Sequence, residues 1–103
     1  MGKVIYSPGF FQDLDRITDF LIEVDPQLCT DTTALIFEAT EILARHPWIG
    51  RPAENGLREL LIAQGRYGYV ALYRHRQDLA QAIVLALRHQ REVGVDHDEP
   101  NAN

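Results

Sequence analysis

Two short steps, Ser7-Pro8 and Asp25-Pro26, constrain how the first half of the chain can fold. A serine or aspartate oxygen accepts a hydrogen bond from the free N–H groups at a helix start, and proline in the first helical position needs no N–H of its own. The sequence therefore predicts one helix from Pro8 to near Val24, followed at once by a second helix of about 20 residues. Two helices joined so closely most simply form an antiparallel hairpin.

Strands are predicted on both sides of this helix pair. Residues 3–6 alternate and are rich in β-branched and aromatic side chains, which indicates a short N-terminal strand. After the turn-rich segment 46–56, three more strands are predicted at 58–63, 67–74 and 79–88. Their short loops require antiparallel neighbours. The predicted fold class is α+β: a short N-terminal strand, and an antiparallel two-helix hairpin packed on one face of an antiparallel sheet.

The alternation of side chains along the strands assigns their two faces. The face predicted to lie under the helices, against residues such as Leu35, carries Leu60, Ile62, Val70, Leu72, Ile83, Leu85 and Leu87. The opposite face is predicted to show Arg58 or Glu59, Tyr67, Tyr69, Tyr73, Val84 and Arg88. A sheet face that presents tyrosine and arginine and is not covered by helices is a candidate binding surface.

The stretch Arg88–Arg91, which ends the last predicted strand, has a predicted geometry of its own. Arg88 is expected to point to the open face, and His89 toward the core. An unpaired charge is costly inside, so the strand is expected to end near His89 and to leave Arg91 in solvent or on an acidic partner. Arg88 has two possible roles at this stage, a structural pair with Glu59 or a contact with a partner.

Length and charge bound the organisation of the chain. The 103 residues predict a single domain over 1–95, with 96–103 as a flexible acidic tail. The net charge is −5, yet residues 45–91 hold eight arginines and only three acidic residues. Arginine suits forked recognition of phosphate or carboxylate, although a solvated charged face is the plainer interpretation. A lone cysteine and the lack of an 18-residue apolar run predict a cytoplasmic protein without a membrane anchor.

Several kinds of chemistry find no support in the sequence. There is no glycine-rich phosphate loop, paired cysteine or HExxH array, so neither a metal nor a cofactor is expected. A set of arginine, histidine and tyrosine side chains remains. A metal-free ribonuclease uses such groups as general acid, general base and charge stabiliser, but arginine and tyrosine are also preferred anchors of protein interfaces. Residue types alone leave both possibilities open.

The order of motifs resembles the RelE/ParE toxins of bacterial type II toxin–antitoxin modules. The resemblance covers roughly residues 3–95 and rests on "VIYSPGFFQDL", "ITDFLIE", "ILARHPWIGRP", "GLREL", "YGYVALYR" and "LALRHQRE". It implies a growth inhibitor held silent by a cognate antitoxin that is acidic and partly disordered. It also implies one of two targets, since RelE-like members cut mRNA within the ribosome whereas ParE-like members are not nucleases and poison DNA gyrase.

The resemblance favours the ParE-like branch when it is followed residue by residue. Arg91 matches the arginine of the nuclease branch's last-strand "RE" motif, but Val70 stands where that branch has another arginine, and its C-terminal tyrosine is missing. The alternatives are an mRNA interferase and an inactive binding module. A nuclease would use Arg58, Arg88, His89 and Arg91. Contacts with the antitoxin or the target are assigned to Arg51, Arg66, Tyr67, Tyr69, Tyr73 and Arg74.

Overall fold

The computed structural model describes residues 2–63 and 68–90. The elements in chain order are β1 (Lys3–Tyr6), α1 (Pro8–Val24), α2 (Pro26–Glu41), β2 (Arg51–Pro52), β3 (Arg58–Ile62), β4 (Tyr69–Arg76) and β5 (Gln81–His89). A 3-10 turn at Ile42–Ala44 extends α2, and a second one at Gln77–Leu79 connects β4 to β5. The predicted strand end near His89 is confirmed.

The strands form a five-stranded sheet with the order β1-β5-β4-β3-β2. The pairs β2–β3, β3–β4 and β4–β5 are antiparallel, whereas β1 runs parallel to β5. The α+β fold class is confirmed, with a mixed sheet. β2 was not predicted, because its two residues lie within a segment rich in proline and glycine, where no alternation marks a strand.

Both predicted helix caps are present. The Ser7 Oγ accepts a hydrogen bond from the N–H of Phe10 at 3.3 Å, and Asp25 Oδ1 accepts one from the N–H of Gln27 at 3.0 Å. Asp25 also ends α1, because its own N–H donates to the Leu21 carbonyl at 2.8 Å. A single extended residue therefore separates the two helices, and they fold back as the predicted hairpin.

The core lies between this hairpin and one face of the sheet. Phe10 is fully buried and packs against Tyr6 and Phe37, with ring centroids 4.8 and 5.8 Å apart. The other fully or nearly fully buried core residues are Leu14, Ile17, Leu21, Ile36, Leu43, Ile62, Tyr69, Ala71, Tyr73, Ala82, Val84 and Leu87. Leu60 is half-buried against them, so the predicted core positions of Leu60, Ile62 and Leu87 are confirmed.

The predicted faces of β4 and of the first half of β5 are wrong. Tyr69, Ala71 and Tyr73 face the helices, so Leu72 and the buried Val70 lie on the opposite face. In β5, Val84 belongs to the core, while Ile83 and Leu85 are only half-buried. Leu35 of α2 is 42% exposed and does not belong to the core.

A β-bulge in β5 explains why simple alternation fails there. Tyr73 pairs with Val84 while Leu72 pairs with Ala86, so Leu85 is an extra residue with no partner. The bulge shifts the phase of the strand, which lets both Val84 and Leu87 face the helices. The N-terminus of α1 holds it in place: the Ser7 hydroxyl donates to the Leu85 carbonyl at 3.2 Å, and the Leu87 N–H donates to Asp13 Oδ2 at 2.9 Å.

Tyr6 gives the core a measurable pH dependence. Its hydroxyl lies 2.7 Å from Thr40 Oγ1, and burial raises the pKa of Tyr6 above its ordinary value of 10.0. The folded chain therefore holds this proton more tightly than the unfolded chain does. This difference contributes to the free energy of unfolding in full below the pKa that Tyr6 has in the unfolded chain. The contribution is lost as the pH rises from there through the pKa that Tyr6 has in the folded chain. We expect urea denaturation of wild type to show this decline relative to Tyr6→Phe, and parallel curves would contradict it.

Candidate functional site

The face of the sheet turned away from the helices is the candidate functional site. It follows from the strand register, since residues paired across neighbouring strands share a face. We call it the open face and define it by the residues whose register places them opposite the core: Lys3, Ile5, Arg51, Glu59, Leu61, Val70, Leu72, Arg74, Arg76, Gln81, Ile83, Ala86 and Arg88. Arg74 and Arg88 are exposed, which leaves their guanidinium groups accessible to a partner.

The arginines of the open face differ in their partners. Arg51 Nε bonds to Glu59 Oε1 at 2.9 Å across the β2–β3 pair. The predicted structural pair between Arg88 and Glu59 is therefore wrong, since Arg88 pairs in register with Val70. Within residues 2–63 and 68–90, neither Arg74 nor Arg88 makes an ion pair or a side-chain hydrogen bond. These two cations are therefore available for contacts outside the described part of the chain.

The tyrosines predicted for this face lie elsewhere. Tyr69 is 2% exposed and Tyr73 fully buried, and both point to the helix side. Their predicted surface position is wrong because a tyrosine ring adds a large apolar area to a core once its hydroxyl finds a partner. For Tyr73 these partners are the Pro47 carbonyl, which accepts at 2.7 Å, and the Gly50 N–H, which donates at 3.0 Å. Arg66 and Tyr67 lie outside the described residues.

Arg58 is held by residues 47–50, the part of the connection between α2 and β2 that also binds the Tyr73 hydroxyl. It lies beside Tyr73 in register, at the edge of the helix side, and donates from Nε to the Gly50 carbonyl at 3.0 Å and from Nη2 to the Trp48 carbonyl at 3.2 Å. Its guanidinium also stacks 5.1 Å from the centroid of the Trp48 ring. These contacts engage Nε and Nη2, so in this structure Arg58 fastens residues 47–50 to the sheet.

Replacing Tyr73 by phenylalanine tests this fastening. The ring still fills the core, but the Gly50 N–H and the Pro47 carbonyl both lose their partner. Since an unsatisfied buried polar group costs about 1–3 kcal/mol, we expect the free energy of unfolding to fall by about 2 kcal/mol. Urea denaturation measures it. An unchanged midpoint would show that residues 47–50 do not depend on this hydroxyl.

His89 and Arg88 point to opposite faces. His89 lies against Tyr69 on the helix side, with ring centroids 5.2 Å apart, and lines a pocket with Arg16, Ile17 and Phe20. Arg88 points to the open face, as predicted. Arg91 lies outside the described residues. Of the four residues proposed for a nuclease, the three that the structure describes are not brought together at one site.

An apolar surface on the helix hairpin was missed by the sequence interpretation. Five large apolar side chains of α1 and α2 are 42–62% exposed: Phe11, Phe20, Ile22, Val24 and Leu35. The signal was present in sequence, because α1 carries apolar neighbours at 10–11 and 20–22, which is more than a single buried stripe accommodates. At about 100° per residue, Phe11 and Ile22 lie on one flank of α1, and Phe20 and Val24 lie on the other, so α1 offers two candidate contact areas.

Two further features concern metals and membranes. Among the described residues, no three histidine, cysteine or acidic side chains are grouped as metal ligands. No helix in the described ranges is both long and apolar enough to cross a bilayer.

Comparison with known proteins identifies the family. A family model described as the ParE toxin of the type II toxin–antitoxin system parDE matches residues 4–94. The chain belongs to the ParE toxin family. Toxin RelE3 of Caulobacter vibrioides is 33% identical over 93 residues, which covers 89% of this chain and 98% of that protein. The chain is thus a type II toxin of the wider ParE/RelE group, as the sequence motifs predicted.

Solved structures share the fold of this ParE-family chain. A chain of the chromosomal ParDE toxin–antitoxin system from P. aeruginosa superposes with a TM-score of 0.71 at 22% identity, covering 86% of this chain and 96% of that one. A chain of the toxin–antitoxin complex RelBE2 from Mycobacterium tuberculosis gives a TM-score of 0.55 at 19% identity, with coverages of 86% and 98%. At these identities both likenesses support the fold alone.

Proposed function

We propose that this toxin inhibits growth by binding DNA gyrase in the cytoplasm, without cutting RNA, and that a cognate antitoxin neutralises it. The observation that carries the proposal is the separation of the nuclease candidates. Arg58 is bound to the backbone at residues 48 and 50, His89 lies on the helix side, and Arg88 lies on the open face. General acid–base catalysis needs its groups within hydrogen-bond reach of one substrate. Arg88 lies on the other face from Arg58 and His89, and those two pair with Tyr73 and Tyr69, at separate positions along β4.

Val70 supports the same proposal. It occupies the position at which the nuclease branch of the family carries an arginine, and it is 3% exposed at the centre of β4. A buried valine provides neither a positive charge for a pentacoordinate phosphate nor a proton for transfer. Val70 pairs with Leu61 on one side and with Arg88 on the other, so Arg88 is the cation among the described residues that lies directly beside it.

The open face fits a contact with a protein target. Its centre is apolar, with Leu61 exposed and Leu72 and Ile83 half-buried, and Arg74 and Arg88 carry unpaired positive charge in the described part of the chain. Arginine beside an apolar patch is the usual composition of an energetically important interface region. We propose that Arg74 and Arg88 contact acidic groups of the target, with Arg51 held in place by Glu59.

The exposed apolar surface of the hairpin fits the proposed antitoxin. Phe20, Ile22 and Val24 lie at the end of α1 and are more than half exposed. A partly disordered partner that folds on binding buries such scattered apolar groups over a long path. The two similar structures come from a ParDE system and a RelBE2 toxin–antitoxin complex, in keeping with a partner of this kind.

An mRNA interferase is the second candidate, because the relative with 33% identity is named RelE3. Two parallel reactions separate the candidates. The purified chain is incubated with DNA gyrase and relaxed or supercoiled plasmid, and separately with translating ribosomes on a defined mRNA. We expect gyrase activity to be blocked or cleaved DNA to accumulate, while the mRNA stays intact. Cut mRNA with unaffected gyrase would reverse the assignment.

A further inference from the structure

A pocket of about 240 Å³ lies at the end of the sheet opposite to His89. It is formed where the start of β1, the 3-10 turn after α2 and the start of β5 meet. Gly2 makes this meeting possible: its N–H donates to the Ala44 carbonyl at 3.0 Å, and a Cβ added at Gly2 would lie only 2.7 Å from the Ala80 carbonyl oxygen. The pocket walls are therefore fixed by backbone contacts.

The charges around this pocket have one sign. Lys3, Arg45 and His75 line it, and none of its described lining residues is acidic. Within the described ranges, neither Lys3 nor Arg45 forms an ion pair. The buried Nδ1 of His75 has no hydrogen-bond partner, which is costly for a polar atom inside a protein. This atom is shielded from the pocket by its own burial, so the groups that a ligand oxygen in the pocket would meet are the two cations.

The surroundings of the pocket favour a peptide over a free ion. Arg45 also lines two neighbouring depressions, whose other residues include Ile42, Trp48 and Ile49. Each of these three side chains is about half exposed. Glu41 lines one of the depressions but not the pocket, so a negatively charged group of a ligand is favoured inside the pocket. Apolar groups of the same ligand would lie in the depressions beside it. A segment that alternates acidic and apolar residues matches this arrangement.

We propose that the pocket lined by Lys3, Arg45 and His75 binds a carboxylate side chain from an acidic segment of the antitoxin, whose apolar neighbours pack on Ile42, Trp48 and Ile49. The partner in this proposal rests on the proposed function, whereas the chemistry of the pocket does not. The pocket lies at one end of the sheet, where Lys3 also borders the open face, and its lining includes none of the exposed apolar residues of the hairpin. An antitoxin that reaches it contacts the toxin at both ends of the sheet.

Trp48 provides the reporter for a direct test. It is the one tryptophan of the chain, and its ring lies edge-on to His75 with centroids 4.5 Å apart. The purified chain is titrated with acetyl-Leu-Glu-Leu-amide, with the matched acetyl-Leu-Gln-Leu-amide, and with inorganic phosphate, while Trp48 fluorescence is followed. We expect saturable binding of the glutamate peptide and about tenfold weaker binding of the glutamine peptide, since a charge-assisted hydrogen bond is lost.

Variants locate the site of binding. Arg45→Gln and Lys3→Gln are each expected to weaken the binding of the glutamate peptide by about tenfold. Arg76→Gln removes the same charge at the same end of the sheet, but Arg76 is paired with Asp78 and does not line the pocket, so it should leave the affinity unchanged. Equal affinity for the two peptides, an unaffected Arg45→Gln variant, or phosphate that binds more tightly than the peptide would each overturn the proposal.

A second arm separates this inference from the proposed function. The small protein encoded beside the toxin gene is co-expressed with wild type and with Arg45→Gln, and the affinity of each pair is measured. Weaker binding by Arg45→Gln supports the anchor. Equal binding overturns the anchor and leaves the antitoxin intact. No binding even by wild type would refute the antitoxin partner, while the peptide titration still decides whether the pocket takes a carboxylate.

Discussion

Replacement of Phe10 by alanine is expected to lower the free energy of unfolding by about 3–5 kcal/mol. The side chain is fully buried and contacts the rings of Tyr6, Phe11 and Phe37, with centroids 4.8, 5.2 and 5.8 Å away. Its loss removes apolar burial and leaves a cavity between α1, α2 and β1, which three rigid rings cannot easily fill. Urea denaturation followed by circular dichroism gives the measurement.

Leu35→Ala is the matched control for this experiment. Leu35 lies on α2 at a position with the same apolar character in sequence, but the structure leaves it 42% exposed. Its replacement is therefore expected to change the free energy of unfolding by less than about 1 kcal/mol. Similar losses for both variants would mean that α2 is rotated so that Leu35 faces the core.

The double variant Arg74→Ala, Arg88→Ala is expected to abolish growth inhibition while the fold stays intact. Both guanidinium groups are exposed on the open face and have no partner among the described residues, so their removal costs little stability. If they pair with acidic groups of the target, target binding should weaken by about a hundredfold or more. Colony counts after induction, together with a circular dichroism spectrum, test both statements.

Arg76→Ala controls for the loss of positive charge alone. Arg76 is also exposed on β4, but Asp78 neutralises it at 2.8 Å, so we expect this variant to remain toxic. Full toxicity of the Arg74, Arg88 double variant would exclude the open face as the target surface. Loss of toxicity with a disordered spectrum would mean instead that one of these arginines supports the fold.

The helices were predictable from sequence because their ends depend on local chemistry. Ser7 and Asp25 accept bonds from N–H groups two or three residues ahead, and such contacts need no knowledge of the rest of the chain. The C-terminal end of β5 was predictable for a related reason, since the change from apolar to basic residues after Leu87 marks where burial stops. Local signals were therefore sufficient for the fold class, the two helices and every strand except β2.

The faces of β4 and of the first half of β5 were not predictable, because they depend on contacts distant in sequence. The bulge at Leu85 is held by Ser7 and Asp13, which lie more than 70 residues away along the chain. Alternation also gave no clear answer in β4, where both the tyrosine side and the valine–leucine side are apolar. The hydroxyl of Tyr73 decides in favour of burial only once residues 47–50 fold over it.

The candidate site was predictable in part. Arg88 reaches the open face and His89 the helix side, as the strand period required. The role of Arg58 was not visible, since its partners are backbone carbonyls of a loop rather than side chains that a sequence displays. The pocket lined by Lys3, Arg45 and His75 was hidden for the same reason, because three separate segments come together to form it.

Mapping of RNA 5′ ends in cells, shortly after induction of the toxin, distinguishes a toxin that acts by binding a protein from an mRNA interferase. If the toxin acts through protein contacts on the open face, transcripts should show no new ends relative to an uninduced culture while growth stops. The Arg74→Ala, Arg88→Ala variant should restore growth without changing the map. New ends within coding regions that appear with wild type and disappear with His89→Ala would contradict the account and establish an mRNA interferase.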